Sequence, residues 1–148
     1  MNSIADYLTI DHKRCDDFFV EAENHVVKSM WLAAEPCFTQ FKAAIEQHFE
    51  MEEQVLFPGF EQKTGSTKGP TQMMRSEHNQ IRAILQRMLD SLSLHAQDDY
   101  LGHSETLNIM LQQHNLKEEN ILYPMTDQVL MAIKPDIMVA MKQIQTGS

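Results

Sequence analysis

One pattern of histidines, carboxylates and a proline occurs twice in this 148-residue chain, at a constant offset of 66 residues. His12 recurs as His78, His48 as His114, Glu52 as Glu118 and Pro58 as Pro124. The longest matching pieces read QHFEMEEQVLFP (47–58) and QHNLKEENILYP (113–124). Six of those twelve positions are identical, and Val55/Ile121 and Phe57/Tyr123 are conservative pairs. Four histidines and two carboxylates with two-fold regularity are what a symmetric two-metal site requires. A core built only for packing has no use for them.

Each of the six lies on an apolar stripe of helical period. Steps of three, four and seven residues lead from His12 to Cys15, Phe19, Ala22 and Val26, and from His48 to Phe38, Phe41, Ile45, Met51 and Val55. His78 keeps company with Met74, Ile81, Leu85, Met88 and Leu92, and His114 with Leu107, Met110, Leu111, Ile121 and Leu122. This periodicity predicts four amphipathic helices. Ser3 or Asp11 is expected to open the first, which runs to about Met30, and Pro36 suits the first turn of the second. The stretch KTGSTKGPT (63–71) reads as a loop, and HAQDD (95–99) separates the third helix from the fourth. Pro58 and Pro124 are expected to kink or end helices two and four, because each removes a backbone donor. Ile137, Met138, Met141 and Ile144 share one side of a short tail that packs on the bundle or on a second subunit. Short connections make neighbours antiparallel. The expected fold is therefore all-α, an up-down-up-down four-helix bundle with a short C-terminal helix, a single domain over 1–148. A pseudo-two-fold axis relates its two hairpins.

Composition narrows the partners. Lys+Arg number only 12 and the net charge is −9, so no basic surface invites nucleic acid or an anionic membrane. No apolar run approaches the length of a membrane span, and the N-terminus lacks the pattern of a signal peptide. A cytoplasmic protein is expected. Cys15 and Cys37 are too few for a disulfide framework and read as small packing groups.

Four residues along a helix is about 400° of rotation, which stacks His48 over Glu52 and His114 over Glu118. Glu53 and Glu119, one residue further, are expected to turn to the flank. Two bare carboxylates inside an apolar bundle would cost several kcal/mol or shift strongly in pKa. A pair of divalent cations, ~3.5–4 Å apart and bridged by the carboxylates, removes that penalty. Mixed imidazole and carboxylate ligation suits iron, with zinc or manganese as substitutes.

The ordered set His12, His48, Glu52, His78, His114 and Glu118 resembles the hemerythrin-like family, whose pattern is His … His-x-x-x-Glu … His … His-x-x-x-Glu. The resemblance spans nearly the whole chain. It implies a non-haem di-iron centre, two iron ions with an oxo or hydroxo bridge, that binds a small diatomic ligand such as O₂ or NO. By position, His12 and His48 would hold one iron, His78 and His114 the other, and Glu52 and Glu118 would bridge them. Two departures separate this chain from the oxygen carriers of the family. They carry a further His four residues after the third-helix ligand, where Arg82 stands here, and they end His-x-x-x-x-Asp. Loss of an imidazole opens a coordination position, and Arg82 is expected to hydrogen-bond a bridging carboxylate or a bound anion.

The pattern also resembles the di-iron domain of iron–sulfur cluster repair proteins, which usually carry a Cys-containing N-terminal domain with no counterpart here. Binding or sensing is the first expectation, since two carboxylates stabilise oxidised iron less than a carboxylate-rich site does. The alternatives are an enzyme that reduces NO or peroxide or repairs clusters, and iron storage or sensing. A separate redox partner protein and a monomer or homodimer complete the expectation. His25, His95 and His103 fall off the ligand pattern. Tyr7, Trp31 and Tyr123 read as packing, Met51 and Met110 as pocket walls, and Lys117 as a surface residue.

Overall fold

The chain folds as two helical hairpins that follow the sequence repeat. The structure is a computed structural model that describes residues 3–147. Residues 1, 2 and 148 of the expected domain lie outside the described residues. Helix makes up 91% of the chain and no strand occurs among the described residues. Helices α1 (Ile4–Val27) and α2 (Trp31–Met51) form the first hairpin, and α4 (Pro70–Ser93) and α5 (Gln97–Lys117) the second. Helix α3 (Phe57–Thr64) continues α2, α6 (Tyr123–Val129) continues α5, and α7 (Lys134–Gly147) closes the chain.

Local chemistry explains most boundaries. Ser3, and not Asp11, opens α1: its hydroxyl accepts the Asp6 amide at 2.9 Å, a standard N-cap bond. Helix α3 ends at Gly65, whose φ of 74° is the left-handed conformation that glycine adopts freely. Helix α5 starts at Gln97, so Asp98 and Asp99 belong to its first turn, where negative charge complements the helix dipole. The two hairpin turns are copies. Ser29 and His95 have φ of 55° and 53°, and the amides of Met30 and Ala96 each bond a carbonyl five residues back at 2.8 Å. No residue identity at those turns announces the likeness.

The expectations about Pro36 and about Pro58 and Pro124 need correction, and the tail takes the first of its two alternatives. Pro36 lies inside α2, which begins at Trp31. The carbonyl it leaves unpaired belongs to Leu32, on a turn so exposed (95% for that side chain) that water can serve it. Pro58 and Pro124 end nothing. In both places the helix widens for one turn, over Glu52–Leu56 and Glu118–Leu122, into i→i+5 bonding, with Phe57 N–H on Glu52 O and Tyr123 N–H on Glu118 O. The wide turn absorbs the missing donor and lets the chain run on. The tail helix packs on the bundle: Ile137, Met138 and Met141 are buried with Ile4, Leu8, Leu56 and Phe57.

The core is in two parts. One surrounds Phe19, Phe38, Phe41, Leu85 and Tyr100, and the other Leu8, Met51, Phe57, Tyr123 and Met141. Helices α1, α2 and α4 contribute to both and carry their histidines between them: Leu8 and Cys15 flank His12, Ile45 and Met51 flank His48, Met74 and Ile81 flank His78. On the fourth arm of the bundle Leu111 of α5 and Leu122 of the widened turn flank His114. A polar belt is thus sealed above and below by apolar packing. Truncating the tail anchor Met141→Ala should cost about 2–5 kcal/mol in denaturant unfolding, whereas the exposed Val139→Ala should stay within about 0.5 kcal/mol. Equal midpoints for the two would mean that α7 does not seal the lower core.

Candidate metal centre

The six residues that the repeat marks come together in the belt, all buried. His12 comes from α1, His48 from α2, His78 from α4 and His114 from α5, and Glu52 and Glu118 each open a widened turn. Two overlapping groups result, His12–His48–Glu52–Glu118 and His78–His114–Glu52–Glu118, each with one ligand atom per residue inside 4.8 Å of the others. Both glutamates belong to both groups.

All four imidazoles point Nε2 inward. His12 Nε2 is 3.0 Å from Glu118 Oε1, and His48 Nε2 is 3.5 Å from Glu52 Oε2. On the other side His78 Nε2 is 3.0 Å from Glu52 Oε1, and His114 Nε2 is 3.4 Å from Glu118 Oε2. The outer nitrogens are fixed by a second carboxylate apiece. His12 Nδ1 meets Glu119 at 2.7 Å, His48 Nδ1 meets Asp11 at 2.8 Å, His78 Nδ1 meets Glu53 at 2.6 Å and His114 Nδ1 meets Glu77 at 2.7 Å. A carboxylate behind Nδ1 sets the tautomer that leaves Nε2 free for a metal and raises its basicity. Two of these clamps join helices of one hairpin, Asp11–His48 and Glu77–His114. The other two, Glu53–His78 and Glu119–His12, join one hairpin to the other.

The outer carboxylates were missed in the sequence, yet they obey the same offset: Asp11 pairs with Glu77 and Glu53 with Glu119. Glu53 and Glu119 do turn away from the centre, as spacing predicts, but onto the backs of histidines and not to an idle flank. Asp11 serves His48 in place of capping a helix. Arg82 contacts neither bridging candidate. It binds Glu53 through both terminal nitrogens at 3.0 and 3.1 Å, and Glu46 through Nε at 3.0 Å. Lys117 is half-exposed and bonds Glu77 at 2.6 Å.

Tyr123 is the largest surprise. Its hydroxyl stands 2.6 Å from Glu52 Oε2, 2.9 Å from Glu118 Oε1, 3.1 Å from His12 Nε2 and 3.2 Å from His48 Nε2. A fully buried Tyr is an apolar body with a polar tip that must be satisfied, and the repeat partner Phe57 carried no hint of that tip. Met51 lies in the lower core, and Met110 lines a cavity of about 80 Å³ beside His114, with Glu77, Ile81 and Lys117.

Electrostatics show what the pocket lacks. Burial favours a neutral His114, but the charges and hydrogen bonds of Glu118, Glu52 and Glu77 together outweigh it and push the ring up to about 9. Burial likewise opposes charge on His48, and Glu52 and Asp11 still raise it well above its ordinary value. Burial opposes charge on Glu52 as well, yet the His48 charge and the hydrogen bonds around it hold that carboxyl well below the carboxylate range. Burial also resists ionisation of Glu53, yet the His78 and Arg82 hydrogen bonds hold it at about 2. Burial and the two facing carboxylates keep the Tyr123 proton far above the phenol range. Among the described residues, protonated imidazoles are the only positive charges that touch Glu52 and Glu118.

Protein groups do not finish the job. Glu52 Oε1, Glu118 Oε2, His78 Nε2 and His114 Nε2 are buried side-chain atoms without a hydrogen-bond partner. Orphans of this kind are rare in native proteins and cost about 1–3 kcal/mol each. Here four converge. Lone pairs of imidazole nitrogen and carboxylate oxygen are what a divalent transition metal accepts, so the donor set fits cations of the iron, manganese or zinc class. A third cluster, Glu21, His25 and Cys37, brings three ligand atoms within 4.8 Å, but at a partly open surface where Cys37 already bonds Glu21. Cys37 and His25 are thus half-buried neighbours, while Cys15 alone is a buried packing thiol.

The hemerythrin HHE cation binding domain matches residues 3–126. This chain therefore belongs to the hemerythrin HHE cation-binding family, with buried His/Glu clusters that form a metal-binding site of the di-iron type. No curated protein and no solved structure matches the chain. No helix among the described residues is long and apolar enough to cross a membrane.

Removing one clamp should loosen the metal site without unfolding the bundle. Asp11→Asn and its repeat partner Glu77→Gln should each lower iron affinity about 10–100-fold in a chelator competition. Wild-type affinity in both variants would show that the outer carboxylates do not tune the histidines.

Proposed function

We propose that the chain is a non-haem di-iron protein that binds or senses a small diatomic ligand, O₂ or NO. One observation carries the reading: two imidazole nitrogens and two carboxylate oxygens, buried and unpartnered, face one another between two further inward-pointing imidazoles. His12 and His48 would hold one cation, His78 and His114 the other, and Glu52 and Glu118 offer one oxygen to each. A ferrous pair in this place supplies two exchangeable electrons and a coordination position suited to a diatomic molecule.

The protein's own part is positioning and exclusion. The four Nδ1 clamps hold the imidazoles in one tautomer. The two apolar cores keep bulk water off the belt, and Leu85 and Phe41 above it and Leu56 and Met51 below it are each fully buried. Four imidazoles against two carboxylates keep the ligand field weakly anionic, which favours reversible association over oxidation by a bound oxidant. That balance supports binding ahead of catalysis.

Protein purified without oxygen should contain two irons per chain by elemental analysis. Its exposure to O₂ or NO should produce an absorption band that vanishes when the gas is removed. Prompt and lasting conversion to a ferric form would favour the enzyme reading, and a content far below two irons would remove the di-iron reading. Glu52→Gln, which removes a charge shared by both groups, should lower the retained metal to less than half. Loading the wild type with ferrous iron at about 100 times its dissociation constant should stabilise the fold by about 2.7 kcal/mol in chemical unfolding. No stabilisation would place the bound metal outside the core.

A further inference from the structure

The two halves of the centre present corresponding histidines and glutamates but unlike rings at one position beside them. Tyr123 and Phe57 occupy corresponding positions in the repeat and in space. The Tyr123 ring lies 5.6 Å from His12 with planes 26° apart, and the Phe57 ring lies 5.8 Å from His78 with planes 22° apart. The backbone before each ring is the same widened turn. The difference is the hydroxyl oxygen, present on one side only.

That oxygen is not placed as an ordinary hydrogen-bonding group. A phenol has one proton to give, and this one stands within 3.2 Å of four ligand atoms on its own half of the centre. No single donation satisfies that surrounding. An oxygen 2.6–3.2 Å from two imidazole nitrogens and two carboxylate oxygens instead has the location of another donor facing the same point. Counted this way, the His12/His48 half presents five donors: two nitrogens, one oxygen from each glutamate, and the Tyr123 hydroxyl. The His78/His114 half presents four, with Phe57 standing where the fifth would be. Arg82 supplies none, because both its terminal nitrogens and Nε are engaged by Glu53 and Glu46.

We propose that Tyr123 is a direct oxygen donor to the cation held by His12 and His48, and that exogenous small ligands bind at the His78/His114 half. The inference rests on the di-iron reading above and deepens it by making the two metal positions inequivalent. A cavity of about 80 Å³ lies behind His114, on the side of Glu77 and Lys117, and one of about 10 Å³ lies beside His12 and His48, so the donor count and not open space distinguishes the halves. Phe49 stacks on His78 at 3.8 Å and also lines the small cavity beside His12 and His48, so apolar carbon walls both halves.

Two substitutions, each exchanging one hydroxyl, test the idea on iron-loaded full-length protein. Tyr123→Phe restores the symmetry by removing the donor, and Phe57→Tyr restores it by adding one. The diferric wild type should show a phenolate-to-iron charge-transfer band with tyrosine ring modes in resonance Raman. Tyr123→Phe should lose both features, with iron content measured on the same sample. Azide, used as the exogenous probe, should bind the diferric wild type, and Phe57→Tyr should weaken that binding at least tenfold. A phenolate signature that survives Tyr123→Phe would overturn the first half of the proposal. Azide affinity unchanged in Phe57→Tyr would overturn the second. Wild-type protein with two irons but no phenolate signature would sink the Tyr123 assignment alone, whereas failure to take up two irons would remove the di-iron reading with it.

Discussion

Everything in this bundle answers to the burial of two carboxylates. Glu52 and Glu118 have no contact with solvent. An isolated carboxylate in such a place would shed its charge, and Glu52 does not because His48 and the hydrogen bonds around it hold it well below the carboxylate range. The imidazoles in turn are partly satisfied by Asp11, Glu53, Glu77 and Glu119, which reach back to solvent and to Arg14, Arg82 and Lys117. Charge therefore alternates outward in shells, negative at the centre, positive around it, negative again, then cationic at the rim. The centre is the one layer that protein atoms leave incomplete, and that incompleteness is the affinity for metal.

The widened turns place these shells. A regular helix through Glu52 would carry Pro58 into a position where its ring meets the preceding carbonyl. Opening the turn at Glu52–Leu56 removes that conflict and holds Glu52 and Glu53 on opposite nitrogens of His78, Glu52 at Nε2 facing the centre and Glu53 at Nδ1 behind it. The repeat does the same at Glu118–Leu122. Proline in this chain shapes a site and does not terminate a helix.

The fold and the six central residues were readable because both depend on period. Apolar stripes give the helices, and a constant offset exposes residues that pack no better than their neighbours. The outer carboxylates were harder to see for a physical reason. Acidic residues beside a ligand are common on solvated helix faces, and only the three-dimensional approach of another helix tells Glu77 from Glu105. Their shared offset was the available signal. Tyr123 was hidden by its likeness to Phe57, since a conservative pair conceals one hydroxyl. Pro36 and the two hairpin turns were invisible to pattern, the first because an exposed carbonyl tolerates it, the second because Ser29 and His95 share a backbone shape and not a side-chain type.

The tail helix has a role larger than covering the lower core. Gln145 donates to the carboxylate of Asp11 at 3.1 Å, its backbone carbonyl accepts from Gln47 at 3.0 Å, and Tyr7 donates to its side chain. Asp11 is the group behind His48. The last turn of the chain is thus tied to the first helix through the same residue that orients one imidazole, so the C-terminal segment and the His12/His48 half are thermodynamically linked. Whatever grips the metal also grips α7, and α1 and α7 meet at the back of one histidine.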